Sequence, residues 1–169
     1  FSSYVLVAHE NTRAAHAAAL KYFIMCAVAS AVMLPGLLLL STHFGSLEYA
    51  ALGGSALSLS PGTVLTVLCL TLVGFGVKAG LVPGHSWLPD AHPAAPSSIS
   101  APLSGVMTKA GVFGLFQFLF VIFGVGLLTP NVYSQSAQIS QVLSMGKFIT
   151  AFGVLTMLYG EFMALRQTD

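Results

Sequence analysis

Residues 74–111 read GFGVKAGLVPGHSWLPDAHPAAPSSISAPLSGVMTKAG and place two lysines, Lys78 and Lys109, among apolar residues. A bend rich in proline and histidine separates the two lysines. A charged side chain inside a bilayer costs at least about 2.5 kcal/mol, so an ionisable residue within a membrane span is a candidate for an ion or proton pathway. Two such residues on either side of a helix break favour that interpretation more strongly than one.

The composition is that of a membrane protein. Of the 169 residues, 56% are hydrophobic and 7% are charged, whereas soluble domains carry about 25% charged residues. The formal net charge of +1 provides no basic face for nucleic acid, so no nucleic-acid partner is expected. We predict an all-α integral membrane fold in which residues 1–169 form a single transmembrane region.

The apolar runs predict about four complete transmembrane helices and the tail of another. A spanning helix needs about 20 apolar residues, and residues 1–8 are too few for one. The complete spans are predicted over residues 14–41, 61–87, 100–123 and 145–165. Polar loops are predicted over residues 42–60 and 124–144, and a tight re-entry loop over residues 87–100.

The second complete span should be discontinuous between Gly80 and Pro83. Proline has no N–H to donate to the carbonyl of Ala79, and glycine loosens the backbone. Interrupted backbone at membrane depth is tolerated only where it is buried in protein or lines a wet cavity. Lys78 lies one residue before the carbonyl that loses its donor, which places its amine at the predicted break.

Lys78 and Lys109 are the principal candidates for proton transfer. Burial disfavours the charged form of a lysine, which allows its amine to exchange protons. Lys109 lies about 14 Å along its helix from Ser100, close to the bilayer midplane. A purely structural role stays open for both residues; for Lys78 it would be donation to the carbonyls that the break leaves without partners.

The bend between the lysines carries three further titratable side chains, His85, Asp90 and His92. His85 is a candidate proton relay beside Lys78, because histidine exchanges protons near neutral pH; an interfacial hydrogen bond is the alternative. Asp90 and His92 are candidates for the route by which protons enter, or for local capping and pairing. Trp87 suits the aromatic belt at a membrane surface.

No cofactor or metal site is expected in this chain. The sequence contains no phosphate-binding glycine loop, dinucleotide-binding fingerprint, nucleophile elbow or CxxC pair. His85 and His92 have no further ligand set beside them, and Pro89 interrupts the helix that would align them. Any redox chemistry would take place in another subunit.

A resemblance to a known family is carried by residues 77–111, VKAGLVPGHSWLPDAHPAAPSSISAPLSGVMTKAG. This segment resembles the proton-translocating antiporter-like subunits of respiratory complex I, membrane-bound NiFe hydrogenases and multisubunit cation/proton antiporters. Its HPAAPS sequence is most similar to the large antiporter-like subunit of formate hydrogenlyase and related hydrogenases. The flanking sequences YVLVAHEN and YGEFMALRQTD fit the same family, so the resemblance covers nearly the whole chain.

The resemblance implies roles for individual residues. Lys78 matches the lysine on the family's discontinuous seventh helix, Lys109 the lysine on its eighth helix, and His85 the histidine that follows the break. The family's partner glutamate would fall just before Phe1, and its terminal lysine beyond Asp169. The family fold, two inverted repeats of five helices, is a known transporter device.

The resemblance therefore implies proton translocation by a non-catalytic membrane subunit of a hydrogenase or NADH dehydrogenase-type redox complex. The expected partners are other membrane subunits of that complex, the lipid bilayer and protons, with sodium as the alternative ion. Two other interpretations stay open: a subunit of a sodium/proton antiporter, and a structural membrane anchor without transport.

The charges at the helix ends predict the orientation of a multi-pass protein in the cell inner membrane. Arg13, Lys21 and Arg166 fall on one side if the spans cross in turn, and Lys147 falls on the other. Cytoplasmic loops carry the excess of lysine and arginine. The HPAAPS bend, residues 92–97, is therefore predicted to face the cytoplasm.

Overall fold

The computed structural model describes residues 2–48, 52, 59–122 and 136–166, and every regular element within them is helical. In chain order the helices are α1 (Ser2–Val7), α2 (Arg13–Phe44), α3 (Pro61–Ala79), α4 (Leu88–Ala94), α5 (Ser97–Ile122) and α6 (Ser136–Arg166). The turn Ala8–Glu10 is a 3-10 helix between α1 and α2. Two stretches of α5, Leu103–Met107 and Gln117–Ile122, have π-helical hydrogen bonding.

Four of the described helices contain a stretch that is long and apolar enough to cross a membrane. These stretches are Arg13–Phe44, Gly62–Ala79, Ser97–Ile122 and Ile149–Arg166. The six residues of α1 fall short of a span, and the prediction of four complete spans is confirmed. At about 1.5 Å per residue, the 32 residues of α2 exceed the roughly 30 Å of bilayer hydrocarbon, and its ends project beyond it.

Helix α2 is longer than predicted. It continues through Pro35 and ends at Gly45, which takes up a left-handed conformation with a φ of 70°. Glycine adopts this conformation without steric cost and commonly follows a helix for that reason. The predicted loop over residues 42–60 therefore begins later, and its residues 49–51 and 53–58 lie outside the described residues.

The predicted helix break is present, and Gly80 forms it. Helix α3 ends one residue before Gly80, whose φ of 80° is left-handed. The N–H of Gly80 donates to the carbonyl of Val77 (3.2 Å), and the N–H of Leu81 donates to the carbonyl of Gly76 (2.8 Å). This pair of bonds is a Schellman motif, the usual way in which a glycine ends a helix. Pro83 follows, and because it has no N–H to donate it cannot continue the helix.

The prediction of a loop throughout residues 87–100 is wrong, because α4 lies within it. Pro89 belongs to the first turn of this helix, where a proline needs no backbone donor. The N–H of Ala91 continues the helix by donating to the carbonyl of Trp87 (2.9 Å). The bend between the lysines is therefore a short helix with a turn on each side.

The last helix begins earlier than predicted. Residues 136–144 belong to α6, so the prediction of a polar loop over residues 124–144 is wrong for them. Serine and glutamine are at most weakly unfavourable in a helix, and these polar residues extend the apolar span at its start. Residues 123–135 lie outside the described residues.

Two apolar clusters join the helices. One is built from Leu40, Leu52, Val64, Val67, Leu68, Phe118 and Ile122, near the end of α2 and the start of α3. The other is built from Val7, Ala19, Tyr22, Trp87, Ala91, Ala95 and Leu103, next to the break. The second cluster surrounds the interrupted backbone with protein, which is the environment that such backbone requires in a membrane.

The outward faces of the described helices are strongly apolar. Val106, Phe113, Phe116, Leu158 and Leu165 are each more than half exposed, and none of the α6 window Ile149–Arg166 is buried. A helix that is apolar all round is typical of a membrane span, where lipid or further helices cover every face. The hydrophobic surface is therefore consistent with the membrane assignment.

Helix α5 approaches α3 closely at the level of the first lysine. A Cβ atom placed on Gly111 would lie 2.7 Å from the backbone nitrogen of Ala79 and 3.0 Å from the backbone carbonyl carbon of Lys78. Small residues permit this kind of backbone contact between membrane helices. Gly111 therefore fixes how near α5 can come to the break.

We expect Gly111→Ala to destabilise the subunit by about 1–3 kcal/mol, because the new methyl group would meet backbone atoms that cannot move aside. Gly105→Ala is the matched control, since a Cβ there meets nothing within 4 Å, and alanine is the better helix former. Thermal unfolding of the purified full-length subunit in detergent measures both. Equal stability of the two variants would contradict the close packing of α5 on α3.

Candidate functional site

The amine of Lys78 is held at the helix break by a residue of α2. Lys78 lies in the last turn of α3 and is half-buried. Its Nζ donates a hydrogen bond of 2.9 Å to the hydroxyl oxygen of Tyr22. Tyr22 is only 4% exposed. The site at the break therefore consists of a lysine amine and a buried phenol hydroxyl.

Trp87 completes the hydrogen bonding of the break. Its indole N–H donates to the carbonyl of Val77 (2.8 Å), and its ring packs on Tyr22 with the centroids 4.9 Å apart. Trp87 is fully buried, so the prediction that it belongs to an aromatic belt at the membrane surface is wrong. A buried indole N–H needs an acceptor, and the carbonyl exposed by the break supplies one.

These bonds bear on the structural interpretation of Lys78. The carbonyl of Gly76 accepts from Leu81, and the carbonyl of Val77 accepts from Gly80 and from Trp87. The amine of Lys78 is not the donor for either carbonyl, and its hydrogen bond goes to Tyr22 instead. These two carbonyls of the break are satisfied by other groups, and the amine is not needed for them.

Tyr22 is the partner of Lys78 that the sequence interpretation missed. It is 56 residues from Lys78 in the chain, and no local motif marks it. The buried residues of α2 near its start are Ala15, Ala18, Ala19 and Tyr22. They recur at helical spacing, which defines an inward face of small residues. A single hydroxyl-bearing aromatic on that face is the signal that would have identified Tyr22.

His85 lies between the break and α6. Its ring meets the ring of Tyr159 edge to face, with the centroids 5.1 Å apart. Its Nδ1 is the one buried side-chain nitrogen or oxygen among the described residues that has no hydrogen-bond partner. A neutral imidazole offers one donor and one acceptor nitrogen. The arrangement therefore leaves a ring nitrogen available to a water molecule or a proton.

Asp90 forms an ion pair with Lys21. Asp90 Oδ2 and Lys21 Nζ are 2.7 Å apart, and the two side chains are 50% and 42% exposed. The pair lies in an open groove of about 520 Å³ that Glu10 also lines. The contact places the bend and the start of α2 at the same end of the helices. The pairing considered for Asp90 is present, but its partner is 69 residues away in the chain and not local.

His92 ties α4 to the start of α5. Its Nδ1 lies 2.8 Å from the hydroxyl oxygen of Ser100, and the imidazole is half-buried. This bond agrees with a structural role for His92, the alternative to a place on the proton-entry route. Asp90 and His92 are on one short helix, but their described contacts lead to different elements, α2 and α5.

Lys109 lies halfway along α5, and its side chain is exposed on the surface of the described residues. Gly111 faces α3, and positions two apart on an α-helix point in roughly opposite directions. Lys109 therefore faces away from Lys78, although the two backbones pass close together. Its burial inside the bilayer stays a prediction.

Sequence comparisons place the chain among known membrane proteins. The family described as "NADH:quinone oxidoreductase/Mrp antiporter, TM" matches residues 1–169. Hydrogenase-4 component B of Escherichia coli (strain K12) is 38% identical over 168 residues, which are 99% of this chain and 23% of that protein. NADH-quinone oxidoreductase subunit N of Deinococcus radiodurans is 35% identical over 147 residues, which are 85% of this chain and 29% of that protein.

The fold also has a solved counterpart. One chain in the structure of the membrane-bound sulfane sulfur reductase, an archaeal respiratory membrane complex, matches with a TM-score of 0.81 and 31% sequence identity. The match covers 98% of this chain and 31% of that chain. The chain thus spans less than a third of the length of each of these relatives.

We expect Asp90→Asn to lower the stability of the subunit by less than about 1 kcal/mol, because exposed ion pairs contribute little. Glu48→Gln is the matched control, since Glu48 is exposed and outside the described ion pair. The double change Lys21→Asp with Asp90→Lys should return the wild-type value. Thermal unfolding in detergent at low and high salt measures the three variants. A loss of several kcal/mol in Asp90→Asn would show that the pair is a major structural contact.

Proposed function

This chain belongs to the NADH:quinone oxidoreductase/Mrp antiporter transmembrane family, and on that premise we propose that it translocates protons as an antiporter-like subunit of a membrane redox complex. The observation that carries the proposal is the half-buried amine of Lys78, 2.9 Å from the hydroxyl of Tyr22 at an interrupted helix. A lysine that only anchored the break would donate to its carbonyls, and the carbonyls of Gly76 and Val77 have other donors.

In the proposed mechanism Lys78 gains a proton when an acidic side chain approaches its amine, and releases the proton when that acidic side chain withdraws. At an effective dielectric constant near 20, two charges about 4 Å apart interact by about 4 kcal/mol. That energy is equivalent to a change of about 1000-fold in proton affinity. One ion pair that closes and opens is therefore sufficient to load and unload the amine.

The proton would then pass through water and His85 to Lys109. The buried Nδ1 of His85 without a partner supports this route, because a relay nitrogen must be able to accept a new hydrogen bond. Lys109 faces away from Lys78, so bridging waters must complete the connection; such waters bond nearly as well as direct partners. Asp90 and His92, at the end of the helices that carries Lys21, are the proposed region of proton uptake.

We infer an inner-membrane location with the HPAAPS bend facing the cytoplasm. The Lys21–Asp90 contact joins the bend to the end of α2 that carries Arg13. Lys147 lies two residues before the span Ile149–Arg166, and Arg166 is the last residue of that span. Cytoplasmic loops are the ones enriched in lysine and arginine, which supports this orientation.

The proposed partners are the other membrane subunits of a hydrogenase or NADH:quinone oxidoreductase-type complex. One relative is named as a component of hydrogenase-4 and another as a subunit of NADH-quinone oxidoreductase. The redox chemistry of such a complex would take place outside this chain, and no cofactor is proposed here. Sodium/proton exchange is the second candidate, because the family description includes the Mrp antiporter.

We expect Lys78→Ala and Lys109→Ala in the full-length subunit each to reduce redox-driven proton translocation at least about tenfold, since each removes a group that must carry the proton. Lys147→Ala is the matched control, because Lys147 lies outside the membrane-spanning stretch Ile149–Arg166. Proton uptake into vesicles, measured with a pH-sensitive dye, reports the rates. Unimpaired uptake in both variants would contradict the proposal and favour a structural anchor.

Proton uptake by the wild-type complex should not depend on sodium. We expect the same initial rate in sodium-containing buffer and in buffer where choline replaces sodium, because an amine carries a proton but has no oxygen ligands for a hard cation. The same vesicles and dye measure both conditions. A rate that requires sodium, together with uptake of radioactive sodium, would show that the subunit is an exchanger.

A further inference from the structure

We propose that Tyr22 is a positioning residue for Lys78, and that its hydroxyl oxygen holds the ammonium group at the break and so sets how firmly Lys78 keeps its proton. This inference rests on the proposed transport role of Lys78. It adds to the site a residue of α2, which lies outside the segment that carries both lysines.

The contact is a hydrogen bond rather than a cation–π interaction. Nζ of Lys78 is 2.9 Å from the hydroxyl oxygen of Tyr22 and 5.1 Å from the centre of its ring. These distances place the amine beyond the edge of the ring, whereas a cation–π contact needs the cation over the ring face. An ammonium group has three donors and no acceptor, so the tyrosine oxygen is the acceptor and stabilises the charged form.

The acceptor is held in a fixed place by the break itself. Tyr22 packs on the fully buried ring of Trp87, and the N–H of Trp87 is bonded to the carbonyl of Val77. Val77 immediately precedes Lys78. Consecutive contacts therefore lead from Val77 through Trp87 and Tyr22 to the amine of Lys78. A side chain whose position is locked by packing and by a second hydrogen bond is preorganised for its role.

Few other titratable groups face the amine from the helices packed around it. On α2, Cys26 lies one turn after Tyr22, and its thiol interacts with Tyr22 and with Lys78. Helix α5 presents Gly111 to the backbone of Lys78. The one ion pair among the described residues joins Lys21 to Asp90, so no described carboxylate is paired with Lys78. The Tyr22 hydroxyl is therefore the described group whose removal should act most directly on the amine.

The test compares Tyr22→Phe with wild type in the full-length complex reconstituted in vesicles. Phenylalanine keeps the ring that packs on Trp87 and removes the acceptor. Without the acceptor the ammonium form of Lys78 loses the hydrogen bond that stabilises it. We expect the alkaline limb of the pH profile of proton uptake to move down by roughly one pH unit, which is the tenfold effect of one hydrogen bond to a charged group.

Tyr4→Phe is the matched control, because the ring of Tyr4 packs on Phe23 and the same hydroxyl is removed from a tyrosine other than the one that accepts from Lys78. Its pH profile should coincide with that of wild type. A lower rate in Tyr22→Phe without a shift of the profile would indicate a merely structural role and overturn the proposal. A rate and profile equal to wild type would overturn it as well.

Two further variants separate this inference from the proposed function. If wild type translocates protons and Lys78→Ala does not, the proposed function stands whatever Tyr22→Phe shows. If wild type does not translocate protons, the proposed function and the role of Tyr22 both fail. Should Tyr22→Phe fail to assemble, Trp87→Phe decides: it loosens the ring of Tyr22, so a shift of the profile to lower pH supports the inference and an unchanged profile overturns it.

Discussion

Backbone groups inside a bilayer must find their partners within the protein, and the end of α3 is where this constraint is hardest to meet. Gly80 turns the chain and Leu81 closes the Schellman motif, so two backbone N–H groups return to the last carbonyls of the helix. Trp87 brings a third donor to the carbonyl of Val77. The burial of Trp87 and the packing of its ring on Tyr22 follow from that requirement.

The lysine site is a consequence of how the break is satisfied. Other donors serve the carbonyls of Gly76 and Val77, and the amine of Lys78 extends to Tyr22 on the neighbouring span. Gly111 brings α5 against the backbone on the other side. An amine with a neutral hydroxyl as its described partner is easier to discharge than one held by a carboxylate, because the charged form gains less from the contact. This balance suits a group that must take up and release a proton.

The break and the spans could be predicted from the sequence because both depend on local rules. Gly80 can adopt the left-handed conformation that ends a helix, Pro83 has no N–H to continue one, and long apolar runs cross membranes. Helix α4 could not be predicted from the sequence, because Pro89 and Pro93 are as typical of a loop as of the first turn and the end of a helix. The contacts of Trp87 and Tyr22 at the site could not be predicted either. Trp87 meets a carbonyl ten residues away, and Tyr22 meets an amine 56 residues away, so only the tertiary fold brings them together.

The most direct measurement is a cryo-EM structure of the full-length subunit in lipid, at a resolution that shows ordered water. We expect the amine of Lys78 on the hydroxyl of Tyr22 at membrane depth, and a chain of waters that runs from the amine past His85 to Lys109. An amine of either lysine among the lipid headgroups, or dry, closely packed side chains between Lys78 and Lys109, would contradict a proton path through this site.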